Sequence, residues 1–132
     1  MEEKDTNLEL NKIEDEAINK QKEDDALQAF VLSIIGVSLW TSIIFIMLIA
    51  NSFMSINQKL FILFIGVAWL GACVTGLVFG IISVKKAGRS DGVTTNPYKV
   101  FRVIAKITGI ISIVLNSILT FYVFIFTLGI NF

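Results

Sequence analysis

The sequence predicts an all-α membrane protein, with three transmembrane helices in an antiparallel bundle behind an acidic, partly helical N-terminal arm. Three observations carry this. Hydrophobic residues make up 55% of the 132-residue chain and charged residues 17%, which is too apolar for an ordinary soluble domain of that size. Three apolar runs each reach the roughly 20 residues that a helix rising about 1.5 Å per residue needs to cross a bilayer. The formal charge of zero is a cancellation: ten of the eleven acidic residues precede Ala26, whereas five of the eleven basic ones lie between Lys85 and Arg102.

The arm, residues 1–25, reads "MEEKDTNLELNKIEDEAINKQKEDD" and has no aromatic residue. Such a composition is often disordered. Thr6 and Glu9 have the spacing of a capping box, and Leu10, Ile13 and Ala17 follow at helical intervals, so a short, weakly amphipathic helix running toward the first span is expected. The membrane domain, residues 26–132, contains spans at about 26–50, 60–84 and 103–130. The second run has no charge, and the third has Lys106 near its start, where its ammonium is expected to snorkel to the headgroups. Pro97 lies outside all three. The charged arm and the lack of a small-residue cleavage pattern predict that the first span remains as an anchor.

Lysine and arginine bias sets the expected direction. Lys4, Lys12, Lys20 and Lys22 on the arm share a side with Lys85, Lys86, Arg89, Lys99 and Arg102 in the second connection, against Lys59 alone in "NSFMSINQK". The expectation is a cell-membrane protein with a cytoplasmic N-terminus and an extracytoplasmic C-terminus. The basic residues between the second and third spans are expected to meet anionic lipid headgroups, at about 1 kcal/mol each, in preference to a docked arm. "GRSDG" and "TTNPYK" read as an irregular connector of about 18 residues, and match no phosphate-binding motif.

Small residues let membrane helices approach closely. The first span offers Ala29, Ser33 and Gly36, the second Ala72, Gly76 and Gly80, and the third Ala105, Gly109 and Ser112. Trp40, Trp69 and Asn116 count to a common layer near mid-depth, where an indole N–H needs a partner and the Asn116 amide oxygen could accept its bond. Packing without a ligand is the expected role of that layer, with a small-molecule or substrate site as the alternative.

Functional chemistry is sparse. The chain has no histidine, and its spans contain no carboxylate, so neither catalysis nor proton-coupled transport is expected. Cys73, the single cysteine, has no disulfide partner or neighbouring ligand set and reads as a packing residue. No metal, cofactor or nucleic acid is expected. The leading expectation is an accessory or interaction subunit that meets a membrane-protein partner or forms a homo-oligomer. Alternatives are an oligomeric channel or carrier, a holin-like pore and a bacteriocin-immunity-type protein.

"ALQAFVLSIIGV", "GLVFGIISVKKAGRSDG" and "KITGIISIVLN", in that order over roughly residues 26 to 118, resemble the DUF4190 domain of small bacterial membrane proteins. The family commonly has histidine where this chain has Ile81, and its turn is shorter. The resemblance implies a bacterial membrane location, and no substrate or catalytic residue.

Overall fold

A computed structural model describes residues 1–52 and 58–130, and among these it contains three α-helices and no strand. They are α1 (Glu2–Ser52), α2 (Gln58–Arg89) and α3 (Tyr98–Ile130). Each is long and apolar enough to cross a membrane, with candidate spans Glu2–Ile46, Phe64–Arg89 and Tyr98–Ile125. Each helix packs against both others. The link 53–57 and the side chains of Trp40 and Lys59 lie outside the described residues.

The arm is helical, as expected, but over its whole length rather than a short part of it. It is the first half of α1, which runs unbroken for 51 residues, or about 76 Å. A free, highly charged segment starts a helix reluctantly because nucleation is costly, but here the membrane segment supplies the nucleus and the arm only extends it. The expected capping box does not form. Thr6 sits inside the helix, where its hydroxyl donates to the Glu2 carbonyl at 2.8 Å. Glu2, Glu3 and Asp5 occupy the first turn, where negative charge suits the helix dipole.

The second connection is also shorter than expected. α2 continues through Lys85 to Arg89 and α3 begins at Tyr98, which leaves an irregular segment of residues 90–97. Lys86 and Arg89 stabilise the last turn of α2 by their charge. Gly92, at φ 87°, takes the left-handed conformation that reverses the chain, and the Pro97 carbonyl accepts from the Val100 and Phe101 amides at 3.0 and 3.1 Å to start α3.

The interior is built of small residues and the exterior of large ones. Ala26, Ala29, Ser33, Cys73, Ser83, Ala87, Ala105 and Ser112 are buried, while Phe45, Phe64, Ile118 and Phe121 are exposed. In a bilayer this arrangement is stable, because lipid solvates the large apolar side chains while the helices gain dispersion contact by close approach. The backbones of α2 and α3 meet at Gly80 and Gly109. A Cβ on Gly80 would stand 2.9 Å from Ile113 Cγ1 and 3.1 Å from the Gly109 carbonyl oxygen, and one on Gly109 would stand 3.3 Å from the Gly80 carbonyl oxygen. By contrast, nothing lies within 4 Å of a Cβ placed on Gly71. Gly80→Val should therefore lower the unfolding free energy in mixed micelles by about 1–3 kcal/mol, the usual cost of overpacking, whereas Gly71→Ala should change it by less than about 0.5 kcal/mol.

Candidate functional site

The buried positions fall at alternating intervals of three and four, the heptad spacing of helices in a supercoil. On α1 they are Ala26, Ala29, Ser33, Gly36 and Ile43; on α2 Cys73, Gly76, Gly80, Ser83 and Ala87, with Ser90 just past its end; on α3 Ala105, Gly109, Ser112, Asn116 and Val123. This seam is the molecule's principal polar and packing site, and it is organised in levels.

At one level Ser83 of α2 sits between the other two helices. Its hydroxyl donates to the Ala29 carbonyl of α1 at 2.8 Å, and the Ala105 carbonyl of α3 is also within reach at 3.3 Å. A hydroxyl has one proton, so the shorter bond dominates. Seven residues along each helix, Gly36, Gly76 and Ser112 form the next level. Ser112 donates to the Gly76 carbonyl at 3.1 Å, and a Cβ on Gly36 would lie 2.7 Å from the Ser112 hydroxyl. Only a residue without a side chain lets α1 come so close to that bond.

Asn116 is 1% exposed and lies flat against Gly76, where a Cβ would be 2.8 Å from both polar atoms of its amide. Its Nδ2 donates to the Ser112 carbonyl at 2.7 Å and to the Ser112 hydroxyl at 3.1 Å. Turning the amide over would set oxygen against oxygen, so this orientation is fixed. The expected bond to Asn116 does not form from Trp69, and the side chain of Trp40 lies outside the described residues. Among the described residues, Asn116 Oδ1 and Trp69 Nε1 are both buried without a hydrogen-bond partner. The seven-residue step explains why: it carries the level of Gly36 and Gly76 on to Ile43 and Trp69, which line one apolar groove, and so puts Trp69 a turn beyond Asn116.

The sequence-predicted stripes are placed unequally. Ala29, Ser33, Gly36, Gly76, Gly80, Ala105, Gly109 and Ser112 all lie in the seam. Ala72 instead flanks the groove of Ile43 and Trp69, and Cys73 takes the seam position. A strict interval of four drifts off a heptad face. The alternation of three and four, read outward from Gly76 and Gly80, gives Cys73, Ser83, Ala87 and Ser90.

The basic residues separate into two sets. Lys85, Arg89 and Lys99 are exposed. Lys86 turns inward to α1, donating to Gln28 Oε1 at 2.6 Å and lying 3.6 Å from the Asp25 carboxylate. Arg102 reaches back from α3: its Nε donates to the Ala87 carbonyl at 3.2 Å, and its Nη2 pairs with Asp91 at 2.5 Å. With the Ser90 hydroxyl, which donates to the same carbonyl at 2.8 Å, it caps the end of α2 and holds the connector together. Phe30 stacks on Phe101 at 4.7 Å beside this cap, with Tyr98 edge-on to Phe101 at 6.1 Å. Among the described residues the arm is thus clasped at its base, by Lys86 through Asp25 and Gln28, while residues 1–21 are exposed.

No protein-family model, curated protein or solved structure matches the chain.

Two outcomes test this geometry. Ser112→Ala removes both the bond to Gly76 and an acceptor for Asn116, and should cost about 0.6–1.7 kcal/mol of unfolding free energy, the range of single hydrogen bonds between membrane helices. Arg102→Lys should open the connector to limited proteolysis nearly as much as Arg102→Ala, because one ammonium cannot reproduce a guanidinium bonding in two directions.

Proposed function

We propose that this chain is a non-catalytic accessory or interaction subunit of a cell membrane, and that the arm is the part it presents to a partner. The observation that carries this reading is the continuity of α1: the exposed acidic arm and the first membrane span are one helix. A rod of about 36 Å, from Glu2 to Asp25, is thereby fixed in direction by the bundle at its base. Ordering such a segment in advance lowers the entropy cost of binding.

The seam supports the same reading. Ser112 and Asn116, which a polar pathway would draw on, are engaged with Gly76 and with each other, and Thr120 donates to the Asn116 carbonyl at 2.7 Å. These groups serve contact between helices. The lysine and arginine bias puts the arm and the 90–97 connector on the cytoplasmic side, with Lys85, Arg89 and Lys99 at anionic headgroups. The resemblance to the DUF4190 domain belongs to this proposal and implies a bacterial membrane.

Removal of residues 2–18 tests it. The shortened chain should keep the thermal transition of the bundle in mild detergent but lose a stoichiometric protein that co-purifies with the full chain. An unchanged set of co-purifying proteins, or a defined homo-oligomer that conducts ions in liposomes, would contradict the proposal.

A further inference from the structure

The arm carries a seam of its own, turned away from the bundle. Thr6, Leu10, Ile13 and Ala17 follow at intervals of four, three and four, and all are exposed. At about 100° per residue this stripe lies close to half a turn around α1 from Ala26, Ala29 and Ser33, which face α2 and α3. The side of the arm that does face the chain's own connector bears Lys22, whose ammonium is 3.3 Å from the position of a Cβ on Gly92. The stripe is therefore out of reach of the connector of its own molecule.

Charge along its edges selects what could cover it. Glu2, Glu9, Glu16 and Glu23 follow one another at seven-residue spacing along one edge, the position that decides partner choice in a two-helix coiled coil. The other edge has Asn7, Glu14 and Gln21, again seven apart. A second arm is a poor occupant: a parallel pair sets Glu9 against Glu14 and, at the next seam position after Ala17, Lys20 against Lys20, and an antiparallel pair sets the glutamate row against itself. The connector of a second copy does not fit either, because connectors sit at the level of Lys22, about 7 to 24 Å along the helix axis below Ala17 and Thr6.

We infer that the arm docks a basic amphipathic helix of another protein, with apolar residues packed on Leu10 and Ile13 and lysine or arginine facing the glutamate row. This rests on the reading of the chain as an interaction subunit and specifies the partner's chemistry. The apolar contact is only about two heptads long, so charge contributes much of the selectivity and added salt weakens the complex.

The probe is a synthetic three-heptad helix with leucine and isoleucine in its seam and lysine on both edges, titrated by fluorescence anisotropy against the full chain in uncharged detergent. It should bind about tenfold or more tighter than a scrambled peptide of the same composition, and Leu10→Ser with Ile13→Ser should remove most of that difference. Should that variant melt the arm, Glu9→Lys with Glu16→Lys offers an independent readout, shifting preference to a glutamate-edged peptide. Equal binding of the scrambled peptide, or a preference that neither pair of substitutions changes, would overturn the inference. In cells, a native partner lost on arm deletion but kept by both double variants would also overturn it, and would leave the interaction-subunit reading standing.

Discussion

At the crossing of Gly36, Gly76 and Ser112, three helix backbones come close enough that one hydroxyl bonds across the gap and no side chain fits between. A Cβ on Gly36 would stand 3.3 Å from the Gly76 carbonyl oxygen, and one on Gly76 would overlap the Asn116 amide. Lipid tails solvate leucine and isoleucine as well as another helix does, so apolar area alone cannot hold such a bundle together. Close backbone approach can, because it multiplies dispersion contacts and brings hydroxyls within reach of carbonyls on neighbouring helices. The placement of large apolar side chains outside and small ones inside follows from that requirement. So does the register, since Ser83 and Ser112 reach their acceptors only if all three helices advance by the same seven residues.

The arm end solves a different problem. There the chain must leave α2, turn, and enter α3 without stranding the last carbonyls of a helix, and Ser90 and Arg102 meet this together: both donate to the Ala87 carbonyl, and Arg102 also pairs with the connector carboxylate. Buried Val93 and the Phe30–Phe101 stack close the same end. Lys86 ties α1 in at the level of Asp25 and Gln28. Because this clasp grips α1 where the arm begins, it fixes the direction in which the arm leaves, which a flexible tether would not do.

The three spans were legible in the sequence because length and hydropathy suffice for a helix that must satisfy its backbone bonds internally. Much of the seam was legible too, since glycine, alanine and serine at regular spacing in an apolar helix have one common physical use. Sequence and structure part where a local rule meets a longer-range one. Ala72 fits a spacing of four but not the heptad, and the heptad belongs to the assembled bundle rather than to α2 alone. Span ends set Trp69 level with Asn116, whereas the register of the bundle offsets the two by about one turn. Thr6 and Glu9 had capping spacing, yet a helix that already extends from the membrane has no end there to cap. The role of Arg102 had no sequence signal, because its acceptor on Ala87 is fixed only by how the chain turns.

The central claim is the register of the seam, and disulfide formation measures it directly. Ser112 Cβ lies 3.6 Å from a Cβ placed on Gly36, within the separation that a disulfide bridges. In a Cys73→Ser background, Gly36→Cys with Ser112→Cys should oxidise readily to an internal cross-link between α1 and α3. Gly36→Cys with Ala105→Cys, offset by one heptad, should remain reduced under the same conditions. Equal cross-linking of the two pairs, or of the offset pair alone, would contradict the account.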